Sequence, residues 1–298
     1  MRLVAAVDVS GGEGGAAVVE QAVPWAQRLR GTLDLAYASE WSTEGLPAPI
    51  APTDQLDALW VDWQLRADAE RRQLVALQKS VPEAVRGAER FVTGRPVDAL
   101  PDVAEAYDLL VVSTHARRGL ERVLLGSVTQ RLLRQMRTPV LVVGLGDPPV
   151  PADKALKVVA PLDEGDDGAL GWIVKHLLGC RVEIVHVLPP DRWLPAALLG
   201  DSSQPSDPAG RKAAVEADLR LRAEKHGLPG CDVRLVHRDS SNPGDAVAEA
   251  AEAHGADLIV MPTHTRSALE QWFIGSVAER VVERAPCPVL VVPRGTPR

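Results

Sequence analysis

Residues Asp108–Val143 read DLLVVSTHARRGLERVLLGSVTQRLLRQMRTPVLVV, and residues Asp257–Val292 read DLIVMPTHTRSALEQWFIGSVAERVVERAPCPVLVV. The two stretches align without a gap at a constant offset of 149 residues. Asp108, Thr114, His115, Arg117, Leu120, Glu121, Gly126, Ser127, Val128, Arg131, Pro139 and Val140 all recur in register. A period of this length is the size of a domain, so the chain is a duplication and not a solenoid of short units.

Working outward, the two halves also begin alike. Leu3-Val4-Ala5-Ala6-Val7-Asp8 corresponds to Val158-Val159-Ala160-Pro161-Leu162-Asp163, each an apolar run that ends in Asp before a Gly-containing turn. The Pro- and Gly-rich stretch Gly144–Asp153 carries no periodicity and holds the linker. The expected division is a first domain over 1–146, a linker over 147–153 and a second domain over 154–298.

Short, nearly continuous Val, Leu and Ile runs predict strands buried on both faces. They fall at Leu3–Val7, Thr32–Ala38, Ala88–Thr93, Leu109–Val112 and Val140–Val143, and again at Lys157–Ala160, Val182–Val187, Asp232–His237, Leu258–Met261 and Val289–Val292. Helical patterns lie between them, at Ala16–Arg30, Gln55–Lys79, Ala213–His226 and Ser276–Glu283. This alternation implies an α/β fold with a parallel, doubly wound sheet in each half. Two irregular stretches, Ser42–Thr53 and Pro189–Asp207, read as surface insertions. Strands Val140–Val143 and Val289–Val292 are short and apolar, and are expected to pair with each other within one chain. A further homodimer is left open by the sequence.

After the fourth strand of each half, Gly126-Ser127-Val128 and Gly275-Ser276-Val277 open a helix. A helix N-terminus offers free N–H groups and the positive end of the macrodipole, and so suits a phosphate. In an open parallel sheet the ligand crevice lies at the carboxyl ends of the strands, where strand order reverses. Asp8 and the Thr114–Ala116 turn are expected to face that crevice, with Asp8 accepting hydrogen bonds from a base or ribose. Ser127 and Ser276 also read as N-caps, since Ser is a favoured capping residue.

The run Thr-His-Ala-Arg-Arg-Gly-Leu-Glu-Arg-Val-Leu-Leu-Gly-Ser-Val from Thr114, followed by Pro-Val-Leu-Val-Val from Pro139, resembles the universal stress protein signature, twice over in tandem. The resemblance implies Rossmann-like, adenine nucleotide alpha hydrolase-like domains, each a five-stranded parallel sheet in the order 3-2-1-4-5 flanked by helices. It also implies, in many members, ATP in the switch-point crevice. By the resemblance, the first site takes Asp8, Ala38, Ser113, His115, Ala116, Arg117, Gly126, Ser127 and Val128. The second takes Asp163, Val187, Thr263, Thr265, Gly275, Ser276 and Val277. The nucleotide-binding pattern, Gly-x-x-Gly before the Gly-Ser pair, is altered in both halves. Ser113 and Ala116 replace the glycines in the first, and Pro262 and Thr265 in the second. Small residues keep the first crevice open, whereas Pro262 lacks an N–H and Thr265 adds a branched side chain. ATP or a related adenine nucleotide, with or without Mg, is therefore expected in the first domain, and a degenerate site in the second.

His115 and His264 have no second ligand or base at suitable spacing, which argues against metal and nucleophilic catalysis. Arg117 and Arg266 read as triphosphate ligands or as partners of Glu121 and Glu270. Trp60 and Trp63 are expected in core or domain contacts, and Cys180, Cys231 and Cys287 as buried apolar residues. No nucleophile elbow, Walker loop or paired-carboxylate motif is present. The expectation is a regulator and not an enzyme, beyond slow incidental hydrolysis. The alternative is a stress scaffold that binds no nucleotide and acts through protein contacts.

With 33 Lys and Arg against 40 Asp and Glu, the net charge is −7, and no long basic run occurs. Nucleic acid and membrane are not expected partners. Three widely spaced cysteines and an N-terminus that reaches Asp8 early fit a cytoplasmic protein acting on an unidentified protein partner.

Overall fold

The computed structural model describes residues 1–10, 14–41, 54–114, 126–145, 149–163, 167–188, 208–237, 242–263 and 276–293. These fall into two compact units that divide between Asp153 and Lys154. In the first, β1 (Arg2–Ala6), α1 (Gly14–Arg28), β2 (Thr32–Ser39), α2 (Asp54–Ser80), β3 (Arg86–Thr93), α3 (Pro96–Ala104), β4 (Leu109–Thr114), α4 (Ser127–Gln135) and β5 (Val140–Gly144) follow in order. All the strand pairs are parallel and the order is β3-β2-β1-β4-β5.

The second unit repeats this with β6 (Lys157–Pro161), α5 (Gly168–His176), β7 (Arg181–Leu188), α6 (Pro208–Lys225), β8 (Asp232–His237), α7 (Pro243–His254), β9 (Leu258–Pro262), α8 (Ser276–Arg284) and β10 (Val289–Val292). Its sheet is again parallel and runs β10-β9-β6-β7-β8. Numbered within its own unit, each sheet therefore has the expected order 3-2-1-4-5.

The apolar runs became strands because helices cover both faces of each sheet. Leu109, Leu110, Val111 and Val112 of β4 are all buried, as are Val289–Val292 of β10. Burial of this kind contributes about 1.5–3 kcal/mol per large aliphatic side chain. Three helices, α3, α5 and α7, add to those the sequence predicted. α3 is short and carries Pro101 inside it. α5 is also short, and α7 is mostly alanine. The boundaries of α7 are nonetheless written locally. The Asn242 side chain accepts from Gly244 N at 2.8 Å, and Gly255 ends the helix at φ 64°.

Each unit also buries an acid inside its second strand. Asp34 of β2 accepts from Tyr107 Oη at 2.5 Å, Ala88 N at 2.9 Å and Arg90 Nε at 3.2 Å. Glu183 of β7 accepts from Arg234 Nε at 2.6 Å and faces His254 Nδ1 at 3.0 Å. Arg90 lies opposite Ala36 and Arg234 opposite Val185, so the same acid–arginine pair joins equivalent strands in both units. A buried carboxylate is tolerated only when paired in this way.

Some expectations change. Trp63 is 36% exposed and meets Trp41 edge to face at a centroid distance of 6.3 Å, so it is not a core residue. Trp60 is half-buried. Cys287 is buried, but Cys180 and Cys231 are only partly so, because they sit at the mouths of strands and not within them. The insertions Ser42–Thr53 and Pro189–Asp207 lie outside the described residues.

Candidate functional site

The crevice forms where strand order reverses. β1 and β4 are neighbours, with Leu3 opposite Leu109 and Ala5 opposite Val111. α1 and α2 pack on one side of the sheet and α3 and α4 close the other, so the carboxyl ends of β1, β2 and β4 are left between the two layers. A cavity of about 440 Å³ opens there. Its sheet edge is made by Val7 and Asp8 after β1, by Tyr37, Ala38, Glu40 and Trp41 at the end of β2, and by Ser113 of β4. Leu100 of α3 and Val128, Thr129 and Leu132 of α4 form the apolar wall. The volume lies within the range of small-molecule sites.

Asp8 is exposed to the cavity, and its Oδ1 accepts from both Ser10 N at 2.8 Å and Ser10 Oγ at 2.7 Å. These two bonds fix the turn after β1. Gly15, at the start of α1, lets that turn approach. A Cβ there would lie 2.8 Å from the Asp8 carbonyl oxygen and 2.9 Å from Leu77 Cδ2.

At α4 the N-cap is Gly126, with φ −58° and ψ 142° and no side-chain cap. Ser127 is thus the first helical residue, not the cap. Gln130 N donates to Gly126 O at 3.0 Å. The amides of Ser127, Val128 and Thr129 precede that first rung and point out of the helix end. Ser127 and Val128 are both exposed. Thr129 Oγ1 donates to Ser113 O at 2.9 Å, which ties the helix start to the end of β4.

The structure therefore brings Asp8, Ala38, Ser113 and Val128 to one cavity, with Gly126 and Ser127 beside it at the helix end. Thr114 is buried and is not among the lining residues, because its alternate position on the strand turns it into the core. His115, Ala116 and Arg117 lie outside the described residues.

Reading the sequence missed Tyr37, Ser10 and Glu70. Tyr37 Oη donates to Glu70 Oε1 at 2.9 Å, and Ser39 Oγ donates to Glu70 Oε2 at 2.6 Å. Burial, then the Glu70 carboxylate, pushes the Tyr37 phenol well above its ordinary range. The signal was a tyrosine and a serine at alternating places in the apolar run of β2. Their partner, more than thirty residues away on α2, was not legible.

The second unit places its candidates differently. Arg222 of α6 reaches the loop after β6, where Nη2 donates to Asp163 O at 3.0 Å and Nε to Asp167 Oδ1 at 2.7 Å. Its side chain is only 10% exposed. His186, at the position of Tyr37, lies 2.8 Å from Leu162 O. Val187 follows on β7 and is partly buried, and Thr263 is buried with its amide donating to Val292 O at 3.2 Å. Ser276 and Val277 open α8, while Thr265 and Gly275 lie outside the described residues. In the second unit a guanidinium is thus held against the Asp163 backbone.

Fold and crevice together define a tandem, doubly wound α/β protein with Rossmann-like units. The chain belongs to the universal stress protein family, whose model matches residues 1–144 and again 155–293. A universal stress protein of Mycobacterium tuberculosis (strain ATCC 25618 / H37Rv) is 25% identical over 241 residues, covering 78% of this chain and 79% of the relative. One from Thermus aquaticus is 34% identical over 114 residues, covering 38% of this chain and 78% of the relative. Among solved structures, a universal stress protein from Archaeoglobus fulgidus DSM 4304 aligns over 99% of this chain and 98% of its own, at 21% identity and a TM-score of 0.67. Among the described residues no helix is long and apolar enough to cross a membrane.

Proposed function

We propose that the first unit binds ATP or a related adenine nucleotide and that the protein is a regulator, not an enzyme. The observation that carries this reading is the cavity of about 440 Å³, with Asp8 on one wall and the uncapped start of α4 on another. In this reading Ala38 lies beside the base and Asp8 accepts from the base or ribose. Ser113, Ala116, Gly126, Ser127 and Val128 surround the phosphates, whose charge meets the α4 dipole. Arg117 and His115, which precede α4 in the sequence, add donors, and Mg accompanies a triphosphate.

The second site is degenerate. Pro262 and Thr265 replace the glycines, and Arg222 is already engaged with Asp163 and Asp167. Nucleotide binding alters the surface offered to a protein partner. Equilibrium binding of labelled ATP to the full chain tests the reading. Saturable binding at or below millimolar ATP supports it, and no binding at that concentration overturns it.

A further inference from the structure

We infer that the first unit carries a second binding site, at the amino ends of its strands, for a small diphosphate-like oxyanion held between Arg2 and Arg30. It stands apart from the nucleotide reading, because the two sites lie at opposite ends of the sheet.

A cavity of about 740 Å³ opens where α1 ends and β1, β2 and β4 begin. Arg2 of β1, Gln27 and Arg30 at the end of α1, Thr32 of β2, Val85 before β3 and Asp108 before β4 line it. The volume suits a small molecule. Two guanidiniums, an amide and a hydroxyl make donors prevail on its walls, and all four of those residues are exposed. Asp108 is the acid among the lining residues, and its Oδ2 accepts from Arg2 N at 2.7 Å, which ties down the start of β1. The walls therefore stay net positive in a chain whose net charge is −7.

Two features set these guanidiniums apart from ordinary surface arginines. The Arg2 guanidinium lies over the Tyr107 ring, 4.7 Å from its centroid. Tyr107 is buried, and its hydroxyl is fixed by Asp34 at 2.5 Å. Stacking occupies the face of the guanidinium and leaves its N–H edge for an oxyanion. Among the described residues no ion pair joins either Arg2 or Arg30 to an acid.

Arg30 stands in left-handed backbone at φ 50°, the one non-glycine residue of positive φ among the described residues. Gly31 N donates to Ala26 O at 2.9 Å and closes the end of α1, a setting in which the left-handed residue is usually glycine. Gly31 itself answers a different demand, since a Cβ there would lie 2.5 Å from Met1 O. The helix dipole favours a cation at this end, but Arg28 in the last turn already supplies one. It does not account for a side chain where glycine is unstrained. A strained residue on the wall of a cavity points to a task for its side chain. A single carboxylate is satisfied by one guanidinium, whereas a diphosphate spreads its oxygens over two phosphoryl groups and meets both arginines together.

Isothermal titration of inorganic pyrophosphate into the full chain tests this, with Arg30→Gly, Arg2→Gln and Ser127→Pro beside the wild type and acetate as the control anion. Saturable pyrophosphate binding at or below millimolar concentration is expected, with no binding of acetate. Arg30→Gly should weaken it by about tenfold or more, the worth of a charge-assisted hydrogen bond. The same variant should melt no lower than the wild type, because glycine takes φ 50° without strain. Arg2→Gln should weaken binding to a similar extent. Ser127→Pro should leave it unchanged, since α4 begins at the other end of the sheet.

No saturable pyrophosphate binding, or an affinity unchanged in both arginine variants, overturns the inference. A marked fall in melting temperature in Arg30→Gly overturns it too, because the residue would then serve the fold. Binding lost in Ser127→Pro and kept in both arginine variants assigns the anion to α4, which removes this site and leaves the nucleotide reading standing. Acetate bound as tightly as pyrophosphate overturns the diphosphate class.

Discussion

At the scale of single residues, Asp8 and Tyr37 line the first unit's cavity. Asp8 is exposed and, among the described residues, its side chain is held by Ser10, so its carboxylate is not needed by the core. Asp8→Ala is expected to weaken ATP binding by about tenfold or more, the worth of a charge-assisted hydrogen bond. The melting temperature should stay within a few degrees, and calorimetry with thermal unfolding checks both.

Tyr37 and Tyr107 are the chain's two tyrosines, and both phenols are raised, first by burial and then by hydrogen bonds to Glu70 and Asp34. A raised folded-state value means that the folded protein keeps a proton the unfolded chain gives up. The stability tied to it is therefore whole below about pH 10, the ordinary tyrosine value, and is lost above it. An absorbance titration of the folded protein should show no tyrosinate near pH 10. Its appearance should coincide with loss of circular dichroism, whereas independent titration in the folded state would contradict the burial of both rings.

At the scale of elements, the start of α4 separates capping from binding. Gly126 already has ψ 142°, the conformation a following proline requires, and Ser127 is the first helical residue, where proline is well tolerated. Ser127→Pro should thus keep the helix while removing one amide and one hydroxyl from the anion end. Weaker ATP binding with unchanged helicity is the expected result, and unchanged affinity would remove α4 from the site.

The start of α1 is the complementary case. Gly15→Ala would set a methyl 2.8 Å from the Asp8 carbonyl oxygen, and backbone cannot yield as a flexible side chain does. We expect a loss of about 1–3 kcal/mol in chemical unfolding, typical of overpacking. Nucleotide affinity should fall with it as the Asp8 turn is displaced.

At the scale of the whole molecule, duplication has preserved the frame and released the sites. The acid–arginine pairs Asp34–Arg90 and Glu183–Arg234 occupy equivalent strand positions and stabilise equivalent sheets. The turns after β1 and β6 have diverged. One faces a cavity, while the other is fastened by Arg222, Asp167 and His226. Isothermal titration should accordingly give one nucleotide per chain. A stoichiometry of two would show that Arg222 leaves Asp163 when ligand arrives. Arg222→Ala should leave the stoichiometry at one, because Pro262 remains without an amide to offer.

The sequence by itself determined the duplication, the strand positions and the class of fold. Those are written in local patterns: Val-rich runs, a domain-length repeat and a Gly-Ser pair before a helix. It also pointed to Asp8 for the crevice, because a strand end is legible one element at a time, whereas Ser113 and Val128 followed from the family resemblance. It did not determine that Ser127 stands inside the helix with Gly126 as its cap, a matter of two backbone angles. Nor did it show Glu70 behind Tyr37 or Arg222 against Asp163. These contacts join residues 33 and 59 positions apart, and only the packing of α2 and α6 on their sheets decides which side chains meet.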